Sequence, residues 1–209
     1  GVNGVTNTAP FKETDRPAPS GAYACSKYHA EQALWEIAAS SAMEIVILRL
    51  PLVYGPGVKA NFHAMLRWID SHIPLPLGSV RNKRSLLGVD NLVSFIELAV
   101  RHPAAANQLF LLADGEDLST PELLNTLADG LGSRSLLFPC PQRLLVLAAQ
   151  VVGKGALATK LCGSLQIDIS KARNLLGWLP IKPLKEGLSN TAQAYRWAND
   201  GDKTPRRQA

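Results

Sequence analysis

The chain has 209 residues and a net charge of +5, with 46% hydrophobic and 19% charged residues, the balance of a folded domain or a domain with a small lobe. Its basic residues are scattered apart from Arg81, Lys83 and Arg84 and a pair at Arg206-Arg207, and the few aromatics do not interleave with them; this speaks against a nucleic-acid surface and leaves room for an anionic small ligand. Cys25, Cys140 and Cys162 are widely spaced without a CxxC, and His29, His63, His72 and His102 are equally scattered, so neither a disulfide framework nor a zinc site is expected, and a reducing cytoplasm is.

Residues 1–22 are rich in Gly, Pro, Asn and Thr and read as loop. The opening GVNGVTN, without an initiating Met, reads like mid-protein loop and sets the expectation of a longer N-terminal part. A helix is expected from Tyr23 to Ser40, where Ala30, Ala33, Leu34, Ile37 and Ala38 recur at helical spacing. EIVILRL (44–50) is a β-branched apolar run and reads as a buried, parallel strand. VYGPG (53–57) breaks the chain, and residues 61–72 resume as helix. IPLPLG (73–78) carries two prolines and cannot be a regular central strand. Asp90 is expected to cap a helix over 91–102 that Pro103 ends, and QLFLLAD (108–114) reads as another strand.

Ser119, Pro121 and Glu122 form a capping-box signature for a helix reaching Leu131. A long apolar helix is expected after Pro141; its most apolar part, residues 144–152, is too short to span a bilayer and is broken by Gly153-Lys154-Gly155. Ser170 is expected to cap a short helix that stops at Gly177, and a last helix runs from Leu184 to Trp197 before a polar tail that should fray. Strand and helix alternate early and helix dominates later, the pattern of part of an α/β sheet with a helical lobe.

GAYACSKYHAEQAL (21–34) places Tyr23 and Lys27 four residues apart, on one face of a helix. An ordinary tyrosine, with a pKa of about 10, is a poor base at neutral pH. A neighbouring ammonium favours the phenolate, so such a pair can exchange a proton with a substrate hydroxyl or carbonyl oxygen. Tyr–Lys pairs are also common on solvated helix faces, and the spacing by itself leaves both readings open.

Four stretches in this order, YACSKYHAEQAL, LRLPLVYGPG, RSLLGVDNLV and LGWLPIKPLKEGL, resemble the extended short-chain dehydrogenase/reductase family, in particular its NAD-dependent epimerase/dehydratase members. The resemblance runs from Gly21 to about Trp197 and covers the C-terminal portion of the family's chain. It implies an α/β fold with two parts. Residues 1–60 and 84–115 would be the remainder of a Rossmann-type parallel sheet, and residues 61–83 and 116–198 a smaller, mostly helical substrate-binding lobe, with 199–209 as a tail.

The resemblance further implies Tyr23 as acid/base and Lys27 as its electrostatic partner and ribose ligand, with Cys25 and Ser26 structural between them. Pro51, Leu52 and Val53 would pass beside the nicotinamide of NAD or NADP, although strand-end packing explains Pro51 and Leu52 as well. Leu52 stands where many epimerases and dehydratases have Asn, which leaves room for a reductase. Asn61-Phe62 at a helix start and the guanidinium of Arg84 would hold the diphosphate of a UDP-sugar, with Pro76 and Leu77 along the uracil. As bare sequence, Asn61 is equally an N-cap, Pro76 and Leu77 a packed loop, and Arg84 a surface charge. Gly88 replaces a His or Tyr of relatives, Lys160 is a candidate second phosphate-side cation, and Trp178 and Pro180 are structural.

The family's GxxGxxG turn, which cradles the dinucleotide pyrophosphate, is not matched, nor is the Ser or Thr expected on a strand just before VNG. The expectation is a piece of a cytoplasmic UDP-hexose 4-epimerase or 4-keto-sugar reductase of polysaccharide pathways, homodimeric when full length, with no metal, nucleic-acid or membrane partner. It would leave a sheet edge and an apolar face uncovered. A non-catalytic sugar-nucleotide-binding or protein-interaction module of the same descent is the alternative.

Overall fold

The computed structural model describes residues 1–202, apart from the side chains of residues 60, 61 and 200–202. Residues 1–21 form no regular element but are tied down. The Asn7 N–H donates to Ser164 O at 2.9 Å, its amide brackets the backbone of Gln166, and Phe11 pairs with Ile167 in a parallel bridge. The same 164–168 segment pairs on its other side with residues 83–85. Gly21, at φ 83°, turns the chain into α1 (Ala22–Ser40), a conformation that a side chain would strain.

β1 (Val46–Arg49) and β2 (Leu52–Tyr54) follow as one extended stretch interrupted at Leu50-Pro51, where proline has no N–H to donate. α2 (Ala60–Asp70) leads through loop to β3 (Arg84–Gly88), which runs straight into α3 (Val89–Arg101). β4 (Gln108–Leu111) lies parallel to β1, with Val46 opposite Gln108; β3 lies parallel to β2, with Leu52 opposite Leu86. The short β5 (Asp117–Leu118) pairs antiparallel with β3. The rest is helical: α4 (Thr120–Gly130), α5 (Gln142–Val151), α6 (Gly155–Cys162), α7 (Ser170–Leu176) and α8 (Leu184–Asp202). The expected α/β class with parallel strands is present, and β1 has no strand partner beyond β4 among the described residues.

Two apolar cores hold these elements. One packs α2, α4 and α8 on β2 and β3 around Tyr54, Phe62, Leu66, Leu86, Leu127 and Leu184. The other packs α3 and α7 on β3 and β4 around Leu87, Phe95, Phe110 and Trp178. There the Phe95 ring meets Phe110 and Trp178 edge-on at 5.2 and 5.3 Å. α1 is held differently: among its described residues only Ala24 and Glu31 are buried, and Leu34 and Ile37 face solvent.

Local signals meet mixed outcomes. The capping box stands, with Glu122 Oε2 accepting the Ser119 N–H at 2.7 Å and Ser119 Oγ accepting the Glu122 N–H at 3.3 Å. Gly177 ends α7 at φ 67° as expected. Asp90 is not the cap of α3: Gly88 holds that position, because the strand enters the helix without a loop, and Asp90 pairs instead with Lys182. Ser170 does not cap α7; the Asp168 carboxylate accepts the Ser170 N–H at 2.8 Å, and hydrogen bonding from the Ser170 hydroxyl first, then from this N–H, holds Asp168 below the usual carboxylate range. The strand expected over 108–114 ends at Leu111, opposite Arg49, where β1 gives way to Pro51. The long apolar helix after Pro141 is two, divided at Gly153 with φ 71°. The tail beyond residue 202 lies outside the described residues.

Candidate active site

Tyr23 and Lys27 occupy the first turns of α1 and open onto a cavity of about 780 Å³. Its floor is the β1–β2 junction from Ile47 to Leu52, and its walls are residues 1–4 on one side and Lys160, Leu165 and Ile167 on the other. Tyr23 is 76% exposed, and the Lys27 ammonium stands 5.6 Å from the centre of its ring. Ser26 turns away, its hydroxyl donating to Tyr23 O at 2.8 Å, and Cys25 packs toward Pro19 O.

A buried ion pair fixes this face of the helix. Glu31, eight residues after Tyr23 and four after Lys27, accepts from Arg49 Nε at 3.1 Å and from Arg49 Nη2 at 2.6 Å. The remaining guanidinium nitrogen donates to Asn3 Oδ1 at 3.0 Å. Both charged side chains are 10% exposed. Two charges taken from water at this depth are held only by close, multiple hydrogen bonds, and the pair has three. Ala24 and Glu31 therefore set the rotation of α1 that turns Tyr23 and Lys27 into the cavity. Asn3 Nδ2, buried in the same wall, has no partner. Sequence reading overlooked Glu31 and Asn3 and took Arg49 only as part of the LRLPLV stretch beside the nicotinamide; the only available signal was the repeat of four from Tyr23 through Lys27 to Glu31.

The expected site residues divide. Tyr23, Lys27, Pro51, Leu52 and Lys160 come together in this cavity. Val53 lies one step along β2, half-buried opposite Leu87. Phe62 and Leu77 are buried in the α2–α4–α8 core, Phe62 stacked 6.0 Å from the Tyr54 ring, and Pro76 is half-buried beside them. Arg84 donates through Nη1 to Lys160 O at 2.6 Å and to Gly163 O at 3.2 Å, and burial draws its pKa below the usual guanidinium value. The Asn61 side chain lies outside the described residues. The described residues hold no cluster of three or more His, Cys, Asp or Glu able to bind a metal, and no helix long and apolar enough to cross a membrane.

The model of the NAD dependent epimerase/dehydratase family matches residues 2–113, from the loop that walls the cavity to just past β4. The chain belongs to that family. It is 45% identical over 192 residues to UDP-glucose 4-epimerase of Vibrio cholerae, covering 91% of this chain and 58% of the relative. In structure it is similar to UDP-glucuronic acid 4-epimerase from Bacillus cereus in complex with UDP-glucuronic acid and NAD, with a TM-score of 0.73 at 20% identity over 94% of this chain and 59% of that one. RMD from Pseudomonas aeruginosa complexed with NADPH is similar as well, with a TM-score of 0.71 at 20% identity, over 94% and 63%. The chain thus spans less than two thirds of the length of these relatives.

The family is NAD-dependent, and the residues present fit one end of such a cofactor. The Tyr23–Lys27 face, the Pro51-Leu52 backbone and the unpartnered Asn3 amide suit a nicotinamide and its ribose. No GxxGxxG turn for the pyrophosphate occurs in the 209 residues.

Proposed function

We propose that this chain forms the proton-transfer and substrate side of an enzyme that acts on a UDP-sugar at C4, with Tyr23 as acid/base. The observation that carries the reading is one cavity holding Tyr23, Lys27 and the buried Glu31–Arg49 pair, in a chain 45% identical to a UDP-glucose 4-epimerase. NAD or NADP, when bound, supplies the hydride acceptor and donor. Tyr23 takes the proton of the sugar 4-hydroxyl and returns it. Lys27 holds positive charge beside the ring, where it stabilises negative charge developing on the phenol oxygen, and it reaches the ribose. Pro51 and Leu52, with Val53 behind them, line the nicotinamide side. In an epimerase the 4-keto sugar turns over within the cavity and Tyr23 reprotonates it; in a reductase Tyr23 gives its proton once. The 45% relative favours the epimerase.

Arg84, with Asn61 and Pro76, belongs in this reading to the uridine diphosphate side, while Phe62 and Leu77, expected there from the sequence, are core residues that support it from behind. Lys160 links it to the cavity, since its carbonyl accepts from Arg84 while the residue lines the wall. In this reading residues 1–60 and 84–115 are the sheet part and 61–83 and 116–198 the substrate lobe; both cores bridge them, α2, α4 and α8 packing on β2 and β3, and α7 with Trp178 on β3 and β4. The exposed Ile37 on α1 suits a homodimer contact in the full-length protein, and three free cysteines suit the cytoplasm.

A second reading is a sugar-nucleotide-binding module that keeps the substrate side without turnover. Calorimetric titration of the chain with UDP-N-acetylglucosamine and, separately, NAD separates the two from a misassignment. The proposal expects a saturable UDP-sugar heat. A folded chain silent to both ligands would overturn either reading, and tight NAD binding would remove the module.

A further inference from the structure

The two lobes leave α5 unexplained. Leu145 and Val146 pack its inner side against the α2–α4–α8 core. Its outer side repeats the apolar pattern where a globular helix carries charge: Leu144, Leu147, Ala148 and Val151 fall at i, i+3, i+4 and i+7 and all face solvent. Leu144 and Leu147 are 59% and 57% exposed, Val151 and Val152 81% and 66%, and no residue of the helix is fully buried. Phe138, in the strap leading to the helix, is exposed as well. A contiguous apolar surface of this kind on a folded chain marks an interaction site.

The charge around it selects the partner. From Gly130 to Ile167 the chain carries Arg134, Arg143, Lys154 and Lys160 and not one Asp or Glu, in a protein whose whole net charge is +5. Arg143 and Lys154 are exposed and bracket the two ends of the apolar stripe. A second copy docked on the same face would bring these cations against one another. An anionic bilayer offers headgroup charge for the rim and an acyl boundary for the Leu and Val side chains.

We propose that the outward face of α5 docks this protein on anionic phospholipid membranes as a peripheral contact, with Leu144, Leu147 and Val151 entering the interface and Arg143 and Lys154 meeting the headgroups. The absence of a spanning helix concerns crossing a bilayer, not lying on one. The proposal departs from the sequence-based expectation of no membrane partner and is independent of the chemistry assigned to Tyr23.

The test is co-sedimentation of the chain with vesicles of phosphatidylglycerol and phosphatidylcholine, beside vesicles of phosphatidylcholine alone. Binding is expected to the anionic vesicles only and to weaken as salt is raised. Arg143→Gln with Lys154→Gln is expected to weaken it by roughly fivefold per charge removed. Leu147→Glu with Val151→Glu, at exposed positions, is expected to lower binding by about tenfold or more while leaving the circular dichroism unchanged. If that variant loses helix, the charge variant decides. A folded chain that ignores anionic vesicles, or one bound equally by every variant, overturns the proposal. A dimer in sedimentation equilibrium that Leu147→Glu with Val151→Glu dissociates, without vesicle binding, assigns the face to a second copy and overturns it too.

Discussion

Tyr23 and Tyr54 stand in opposite surroundings. Tyr23 is 76% exposed beside the Lys27 ammonium, on a helix that buries little else. Tyr54 is 2% exposed and donates to Asp114 Oδ2 at 2.7 Å. Asp114 also accepts the Gly88 N–H at 2.9 Å and the Asn91 amide at 2.7 Å, and Asn91 in turn bonds both ways with the backbone of Lys182. That network ties β2, β3, α3 and the entry to α8 into one knot. A polar group that must hold the fold is saturated with partners, because each unmet one costs about 1–3 kcal/mol. In the proposed reading Tyr23, which would meet a substrate, is left reachable and is positioned from behind by Glu31 and Arg49.

The comparison can be broken from either side. The largest stability effect is expected at the support behind Tyr23. Glu31→Ala leaves the Arg49 guanidinium buried against Asn3 alone and should cost about 3–5 kcal/mol in urea unfolding. A loss below about 1 kcal/mol would mean that the pair does not anchor α1. Asp114→Ala removes the acceptor of three donors and should cost about 3 kcal/mol by the same measurement.

Gly187→Ala is a smaller test with opposing terms. A Cβ there would stand 2.8 Å from the Tyr54 hydroxyl oxygen, and one at Gly88 3.1 Å. Alanine gains about 1 kcal/mol of helix propensity in α8. Overpacking against a ring already stacked on Phe62 costs about 1–3 kcal/mol, so a net loss is expected, read as a lower melting temperature.

Tyr54→Phe should cost about 1–2 kcal/mol at neutral pH and change the alkaline limb. Burial first, and then the Asp114 hydrogen bond, push the Tyr54 phenol well above its ordinary 10.0. The folded state therefore keeps a proton that the unfolded chain releases above pH about 10, so this contribution is complete below that pH and drains as pH rises. Melts between pH about 8 and 11 should fall more steeply for the parent chain than for Tyr54→Phe; parallel slopes would contradict the assignment.

What the sequence made legible was local. The helical repeat of α1, the apolar run of β1, the Ser119–Glu122 box and the Gly177 stop each lie within one turn or strand, and the Tyr23–Lys27 spacing is likewise a property of one helix. What it hid was paired across distance. Glu31 reads as a surface charge until Arg49 and Asn3 are seen beside it. Tyr54 sits in VYGPG, which reads as a chain break, and becomes a buried hub only once Asp114 is opposite. Gly88 is an oddity in sequence and in three dimensions clears space for that hydroxyl. Asp90 and Asp168 exchanged expected roles with neighbours because the strand–helix and loop–helix junctions, not the residue types, decide which side chain reaches an open N–H.

The division of labour rests most directly on one comparison: conversion at C4 of UDP-glucose or UDP-N-acetylglucosamine, followed by proton NMR in the presence of NAD, for the protein carrying this chain and for its Tyr23→Phe variant. The account predicts a turnover loss of about a hundredfold or more with melting temperature and UDP-sugar affinity unchanged. Equal turnover in the two proteins would contradict it and return Tyr23 to an ordinary place on a helix.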